Sequence, residues 1–241
     1  MNFPGAALLA ASLVTLAARP ARAQDIPAFA AWLAMMSTPY GSLPPVVTRR
    51  MAGQSSGAVN GSTVELRYGQ FTFGRSSDAV HSGGVGGRFG ALGVVVGYQG
   101  CSGCDGNLMA SADYEGILVR KLLASGSGHA LFTLGLRPSV GFGRSLGDGP
   151  DISAISAAVD APIAVAVPVG TTARLVPFIS PGFGVGALRG NNDSESAIRE
   201  SLAFGAALVD LAPGLGLSLS WRRVFLNQGP TTIGVALSFD R

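Results

Sequence analysis

The sequence predicts an all-β chain that forms a closed antiparallel up-and-down transmembrane β-barrel of eight to ten strands, with a short N-terminal helix. Apolar and polar residues alternate along most of the chain, with turn residues between the alternating segments. Several segments exceed the roughly 5 to 6 residues of a typical globular strand and reach the ~9 to 11 that cross a bilayer at a tilt. Charged residues make up only 13% of the chain, which is sparse for a surface that must face water.

Residues 1–23 are predicted to be a signal peptide. Gly5–Ala18 is an apolar run that is too short to span a membrane as a helix. The small residues Ala21 and Ala23 follow it and match an A-x-A cleavage site, so we expect cleavage after Ala23. The mature chain is therefore expected to leave the cytoplasm.

The charge pattern gives no indication of nucleic-acid binding. Removal of the signal peptide takes away Arg19 and Arg22, which lowers the formal net charge from +3 to +1. The mature sequence also lacks a cluster of Lys and Arg with interleaved aromatic residues. We expect neither a nucleic-acid partner nor a bound cofactor or metal.

Residues 24–61 are predicted to be a leader that precedes a barrel domain over residues 62–241. Ile26–Met36 is apolar without alternation, and its Ala, Leu and Met content favours a helix. We expect a short helix or flexible leader beside the barrel mouth; a plug or a partner-binding helix is the alternative. Val46–Ala52 is a weak candidate for a first strand.

Nine segments carry the alternation that predicts strands. In the clearest segment, Phe132, Leu134 and Leu136 share one face and oppose Thr133 and Arg137, while Leu131 interrupts the pattern. Val46–Ala52 would supply a tenth strand, and an eight-stranded barrel stays open as an alternative. The nine segments are Val64–Phe73, Val85–Tyr98, Leu108–Leu118, Ala130–Phe142, Ile155–Val167, Arg174–Ala187, Ser201–Leu211, Leu215–Trp221 and Ile233–Phe239.

The apolar face is predicted to meet lipid, and the polar face to line a narrow interior. Rows such as Ile163, Val165 and Val167 would point outward while Asp160 points inward, the arrangement of a membrane barrel. A soluble barrel would reverse these faces. We expect tight periplasmic turns at Pro168–Thr171 and Ala212–Gly214 and longer outer loops. The longer loops are predicted at Gln99–Asn107, Ser145–Ile152 and Arg189–Ile198.

Four acidic and four basic residues are predicted to face the interior together. An unpaired buried charge costs several kcal/mol, and the guanidinium fork of arginine suits carboxylates, so we expect salt bridges that close the lumen. A water-filled pore lined by the same charges is the alternative. The eight residues of this predicted network are Glu65, Arg67, Asp113, Glu115, Arg137, Asp160, Arg174 and Arg222.

The cysteines and histidines indicate no clear active site. Cys101 and Cys104 are the only cysteines, and an oxidising compartment favours a disulfide between them over a redox or zinc motif. A serine hydrolase would have to use His81, beside Ser82, or His129, because the chain has no other histidine. We interpret both as polar residues of loops or turns and assign no catalytic residue.

The sequence resembles the small outer-membrane β-barrel proteins of Gram-negative bacteria over about Ser62–Arg241. The resemblance is carried by Leu131–Gly143, by Val176–Gly186 and by the final alternating row that ends at Phe239. It implies residence in the cell outer membrane, contact with outer-membrane lipids and assembly by the barrel assembly machinery. It leaves the oligomeric state open.

The function expected on these grounds is structural or surface-presenting and non-enzymatic. Three alternatives stay open: a porin-like pore or transporter for small solutes, a lipid-modifying outer-membrane enzyme that uses His81, and a soluble exported barrel that binds a lipid. Conductance, lipid analysis and cell fractionation would separate them.

Overall fold

The computed structural model describes residues 35–53, 62–72, 79–101, 106–125, 128–146, 152–189, 194–224 and 231–240. The predicted signal peptide, most of the predicted leader helix and Cys104 lie outside the described residues, so their predictions stand untested. No helix among the described residues is both long and apolar enough to cross a bilayer.

Strands dominate the described part of the chain, which also contains the short helix α1 (Pro39–Ser42). The strand segments are β1 (Ser62–Thr72), β2 (Ala79–Phe89), β3 (Leu92–Gly100), β4 (Asn107–Tyr114), β5 (Gly116–Ser125), β6 (Gly128–Ser145), β7 (Ser153–Asp160), β8 (Ile163–Val169), β9 (Ala173–Arg189), β10 (Ser194–Ala212), β11 (Leu215–Val224) and β12 (Thr231–Asp240).

The strand segments form one closed antiparallel barrel of ten strands. Two of the strands are interrupted: β4 and β5 continue one another across Glu115, and β7 and β8 continue one another across residues 161–162. The first and last strands pair from Thr63↔Asp240 to Thr72↔Thr231 and close the barrel, whereas β5 pairs only with β6 among the described strands. The predicted fold class is confirmed.

The tenth strand comes from a hairpin inside the predicted segment Val85–Tyr98. This segment is two strands, β2 and β3, and the prediction of a single strand is wrong because Phe89 and Leu92 pair directly across a turn at Gly90 and Ala91. Gly90 has a φ of 59°, a conformation that glycine adopts without a steric penalty. The outward residues are odd-numbered before the turn and even-numbered after it, and the prediction of one strand missed this change of parity.

The predicted first strand at Val46–Ala52 is also wrong. Residues 44–48 have no regular secondary structure, and residues 49–53 form a turn. This segment lies inside the barrel, where Val46, Val47 and Met51 are buried.

The two ends of the barrel differ in the length of their connections. At one end, which we call the turn end, consecutive strands are joined across residues 90–91, 126–127, 170–172 and 213–214. At the other end, the loop end, they are joined across residues 73–78, 101–106, 146–152, 190–193 and 225–230. The predicted loop Arg189–Ile198 is shorter than expected because strand pairing continues to Ser194↔Arg189.

The two faces of the sheet have the predicted polarity. Arg137 and Asp160 are 8% and 4% exposed, whereas Leu136 and Val167 are 38% and 40% exposed. Charged side chains therefore lie in the lumen, and a belt of aliphatic and aromatic side chains covers the outside. An apolar surface of this extent is typical of a barrel surrounded by lipid.

Substitution of an outward residue by arginine tests whether this belt contacts hydrocarbon. We expect Val96→Arg, in the middle of β3, to lower the free energy of unfolding by about 2–4 kcal/mol in lipid vesicles. Leu92→Arg, at the turn end of the same strand, is the matched control and should cost about 0–1 kcal/mol because it lies near the interface. Denaturant titrations in vesicles measure both. Equal costs at the two positions would contradict a membrane-spanning β3.

Candidate functional site

A segment of the chain itself occupies the lumen. Residues 35–53, which we call the plug, precede β1 and lie inside the barrel. Met35, Thr38 and Ala52 are fully buried, as are most plug residues between them. The predicted leader helix is described only at Met35 and Met36, and these residues lie within the barrel rather than beside its mouth. The lumen is therefore filled by main chain and side chains together.

Apolar side chains of the barrel wall pack against both ends of the plug. Near the loop end, Met35, Met36 and Tyr40 contact a cluster that includes Phe71 and Val224. Burial of each such side chain stabilises a fold by about 1.5–3 kcal/mol. Near the turn end, the plug residues Val47, Met51 and Ala52 contact Leu131, Ala164, Ala166, Val176, Phe178, Ala207 and Val209.

Leu131, which interrupts the alternation in the sequence, is explained by this packing. Its side chain points into the lumen and is 5% exposed. It contacts the plug at the turn end as part of the apolar cluster. An inward leucine would be out of place in a polar lumen, but it fits one that contains an apolar segment.

The helix α1 is a single turn that bends the plug. Pro39 lies in its first turn, where a missing N–H costs little. The hydroxyl of Ser42 donates to the carbonyl of Thr38 at 2.8 Å, and the backbone N–H of Leu43 donates to the carbonyl of Pro39 at 3.1 Å. The hydroxyls of Thr38 and Ser156 are 2.8 Å apart and join this turn to β7.

Small residues in the wall make room for the plug. A Cβ at Gly84 would lie 2.7 Å from Cδ1 of Leu43, and a Cβ at Gly234 would lie 2.6 Å from Cβ of Pro44. A side chain at Gly69 would overlap the carbonyl oxygen of Ser42. Glycine in these strands therefore admits the main chain of the plug, a role that alternation alone does not reveal.

The wall also supplies hydrogen-bond donors to the carbonyl groups of the plug. Carbonyl groups in an irregular segment have no partners within a helix or sheet, and leaving them unpaired inside a barrel would be costly. Side-chain donors from seven strand segments replace those partners. The pairs are Gln99 to Met36, Asn107 to Ser37, Arg222 to Tyr40, Thr232 to Gly41, Arg137 to Val46, Arg120 to Arg50, Thr133 to Met51 and Arg174 to Ala52.

Five residues of the predicted charge network lie in one connected cluster. Arg67 pairs with Glu65, and Arg137 donates to Glu115 at 2.6 Å. Asp113 lies between them, with one carboxylate oxygen 3.9 Å from Nε of Arg137. These residues come from β1, β4, β6 and the residue that links β4 to β5. The geometry places opposite charges next to one another across the wall.

Arg88 joins this cluster and was missed by the sequence analysis. It donates to Asp113 at 2.7 Å, and its Nε lies 3.6 Å from Glu65. Arg88 thus links the two carboxylates. As an even-numbered residue of the predicted single strand Val85–Tyr98 it shares the parity of the outward Val94 and Val96, and only the turn at residues 90–91, which reverses the parity, places it inward.

The plug contacts this cluster directly. The hydroxyl of Thr48 donates to Glu115 at 2.5 Å, on the oxygen that does not accept from Arg137. Arg137 in turn donates to the carbonyl of Val46 at 3.1 Å. Glu115 is completely buried, so these contacts satisfy a carboxylate that water does not reach.

Asp160 and Arg222 form a second buried cluster around Tyr40. Arg222 donates to Asp160 at 2.8 Å and lies 4.3 Å from the centre of the Tyr40 ring. The Tyr40 hydroxyl donates to Asp160 at 3.0 Å and lies 2.7 Å from the hydroxyl of Ser201. A cation over an aromatic face is attracted by the ring quadrupole. Tyr40 therefore anchors the plug by its hydroxyl, its ring and its carbonyl.

The remaining predicted network residue, Arg174, contacts the plug instead of the other network residues. It donates to the carbonyl of Ala52 at 3.3 Å. A further set of ion pairs, absent from the sequence prediction, joins Arg49 of the plug to Asp210 and Asp240 at the turn end. These pairs were missed because the plug was not expected to enter the barrel.

The histidines occupy positions that separate them from candidate nucleophiles. His81 lies in β2, not in a loop as predicted, and is exposed on the outer face, with its Nδ1 2.6 Å from the Tyr68 hydroxyl. Ser82 is its neighbour in sequence but points into the lumen, because successive strand residues alternate. His129 is exposed at the start of β6. His81 and Ser82 therefore lie on opposite sides of the wall.

The predicted disulfide is not described, because Cys104 lies outside the described residues. Cys101 follows β3 at the loop end and packs against the cluster that contains Met35 and Tyr40. Among the described residues, no group of three or more His, Cys, Asp or Glu side chains is placed to hold a metal ion.

Comparison with solved structures finds similar proteins that belong to the outer-membrane class that the sequence resembles. The chain is similar to the attachment invasion locus protein Ail of Yersinia pestis (12% identity, 76% of this chain and 99% of that chain covered, TM-score 0.34). It is also similar to the outer membrane enzyme PagL (14% identity, 73% of this chain and 98% of that chain covered, TM-score 0.36). A third similar structure is the outer membrane protease OmpT of Escherichia coli (8% identity, 76% of this chain and 93% of that chain covered, TM-score 0.37).

All three are outer-membrane proteins, and this chain is itself a closed β-barrel. Two of the three are enzymes by name and one is an attachment protein, so the fold alone does not decide whether this chain is an enzyme. No protein-family model and no curated protein matches the sequence.

Removal of the Asp160 charge tests how strongly the buried clusters hold the fold. Asp160→Asn leaves Arg222 buried without a counter-charge, and we expect a loss of about 3–5 kcal/mol in the free energy of unfolding. Glu200→Gln, at an exposed position on β10, is the control and should change stability by less than about 0.5 kcal/mol. Urea titration of the refolded protein in detergent measures both. Similar stabilities of the two variants would contradict the proposed role of the pair.

Proposed function

We propose that this chain is a non-enzymatic outer-membrane β-barrel of structural or surface-presenting type, whose lumen is closed by its own plug. The observation that carries the proposal is the plug itself, which fills the lumen from one end to the other. In this proposal the signal peptide over residues 1–23 directs export, and the barrel assembly machinery inserts the mature chain. Outer-membrane lipids surround the apolar belt.

The outer surface supports a membrane location. Large apolar side chains such as Val85, Val96 and Leu219 are more than half exposed, and a soluble monomer rarely shows a contiguous apolar surface of this extent. The pairing of β1 with β12 also satisfies backbone groups that would otherwise form two open edges, as hydrocarbon requires. Short turns at one end and longer loops at the other match the orientation of outer-membrane barrels, with the turns in the periplasm.

The contacts inside the barrel support a closed lumen rather than a conducting pore. The described wall directs its arginines at carboxylates and at plug carbonyls, so these charges are engaged and do not line an open channel. Apolar packing at both ends of the plug leaves little room for a continuous column of water. A solute would have to displace the plug to pass.

The position of His81 supports the non-enzymatic interpretation. A nucleophile and its base must lie within hydrogen-bond reach, and Ser82 is on the other side of the wall from His81. The Nδ1 atom of His81 instead pairs with the phenol of Tyr68. An aromatic pair on the outer face near the loop end is typical of the interfacial girdle of membrane barrels.

Conductance measurements test the closed lumen. The mature protein in planar bilayers should show no sustained conductance at neutral pH. Deletion of residues 35–53 should produce steady channels, because the plug no longer fills the barrel. Deletion of residues 26–33, which precede the plug, is the control and should stay closed. Heat-modifiable migration on gels shows that each variant is folded. Steady channels from the intact protein would overturn the closed lumen and favour the solute pore.

Envelope lipid analysis tests the absence of a lipid-modifying activity. We expect cells that produce His81→Ala to have the same lipid profile as cells that produce the unchanged protein, because His81 faces Tyr68 and not a nucleophile. Tyr68→Phe is the matched control, since it removes the partner hydroxyl only. Mass spectrometry of extracted envelope lipids is the measurement. A modified lipid that disappears with His81→Ala would contradict the proposal and favour the enzyme.

A further inference from the structure

The plug crosses the lumen in one direction, and contacts with the barrel wall fix both of its ends. Its first residues lie at the loop end. The carbonyl of Met36 accepts from Gln99 at 3.2 Å, and the carbonyl of Ser37 accepts from Asn107 at 2.7 Å. Gln99 and Asn107 pair with each other on the two sides of the connection 101–106. Residues 36–37 therefore lie beside a connection of the loop end.

The last residues of the plug lie at the turn end. Arg49 pairs with Asp210 and with Asp240, next to the hairpin of residues 213–214, where the backbone N–H of Asp240 donates to the carbonyl of Gly214 at 2.8 Å. The carbonyl of Ala52 accepts from Arg174 at 3.3 Å, beside the turn of residues 170–172. The strand β1 also begins at the turn end, so the chain needs only the short connection 54–61 to enter the barrel wall.

The contacts between these ends follow the same order along the chain. Along the single strand β6, from the loop end toward the turn end, Gly141 lies against Thr38, Arg137 donates to the carbonyl of Val46, and Thr133 donates to the carbonyl of Met51. The order of contacts shows a segment that runs along the barrel axis rather than one that folds back. A plug that entered and left at the turn end would place Met36 and Ala52 near the same connections, which the contacts with Gln99 and Arg174 exclude.

We infer that the barrel carries its own N-terminal segment through its lumen and displays the chain that precedes Met35 at the loop end, on the outer face of the membrane. This inference rests on the proposed function, because the loop end is the outer face only in an outer-membrane barrel. It assigns the lumen a second role: besides being closed, it is the conduit that brings the mature N-terminus to the cell surface. The displayed segment begins at Gln24 when cleavage follows Ala23.

Epitope accessibility on whole cells tests the display. A short peptide epitope is inserted between Gln24 and Asp25 in the full-length protein. Two matched insertions mark the ends of the barrel: one between Ser76 and Ser77 for the loop end, and one between Gly90 and Ala91 for the turn end. Antibody binding is measured on intact and on permeabilised cells, and each protein is first shown to be in the outer-membrane fraction.

The expected result is full binding to the N-terminal epitope and to the Ser76–Ser77 epitope on intact cells, with no gain on permeabilisation. The epitope at Gly90–Ala91 should bind antibody only after permeabilisation. The inference is overturned when the N-terminal epitope behaves like the Gly90–Ala91 epitope while the Ser76–Ser77 epitope is exposed. Absence from the outer-membrane fraction would instead overturn the proposed location, and this outcome is distinguishable from the first.

Cross-linking of the purified protein tests the threading independently of the membrane. Thr38→Cys and Ser156→Cys are combined in a chain that carries Cys101→Ser and Cys104→Ser; the two hydroxyls that they replace are 2.8 Å apart. Oxidation of the refolded protein should join them and shift its migration on a non-reducing gel. Thr38→Cys with Ser218→Cys is the control and should not join, because Ser218 lies in the half of β11 nearer the turn end. A link in the control pair alone, or in neither pair, would overturn the inference.

Discussion

The structure depends on the pairing of plug carbonyl groups with donors from the barrel wall. An irregular segment enclosed by a barrel has lost its contact with bulk water, and outside short turns such as α1 its main chain does not pair with itself as a helix or strand would. The wall solves this with side chains, chiefly arginines and amides, that reach individual carbonyl oxygens. Placement of the plug is thereby specified residue by residue.

The buried charges and the plug form one system. Arg137 donates to Glu115 in the wall and to Val46 in the plug, and Arg222 divides its donors in the same way between Asp160 and Tyr40. The planar guanidinium presents several donors in a fixed fork, so one side chain can satisfy a carboxylate and a carbonyl together. Buried ion pairs contribute little net stability when considered alone. Here they orient the donors on which the plug depends.

Alternation was enough to predict the fold class and the inward position of the charges. It succeeds because a strand places successive side chains on opposite faces, so a polar residue such as Arg137 or Asp160 identifies its face directly. It failed at Gly90, because the two-residue turn between Phe89 and Leu92 reverses the outward parity and this reversal was not recognised. The number of strands therefore follows only from knowing which residues pair across the sheet, and a local sequence pattern does not contain that information.

The plug could not be predicted for a different physical reason. Residues 35–53 have no period, since their side chains contact different parts of a curved wall instead of one face of a sheet. Tyr40, Thr48 and Arg49 carry the contacts of the plug with the charged wall, and none of them belongs to an alternating segment. Arg88 differs, because it lies in an alternating strand and was missed only through the unrecognised change of parity at the turn of residues 90–91. Most of the charged residues that the strands contribute to the site could thus be predicted, whereas the plug residues that contact them could not.

Closure of the cylinder between β1 and β12 limits the routes by which the finished molecule can form. The plug runs along the barrel axis, so it cannot enter from the side once β1 and β12 have paired. Either the plug slides in lengthwise past the close contacts with the wall glycines, or the strands assemble around it before β1 pairs with β12. Wrapping avoids exposing Glu115 and Arg222 to an empty cavity, and it would make the enclosed peptide a template on which the strands assemble.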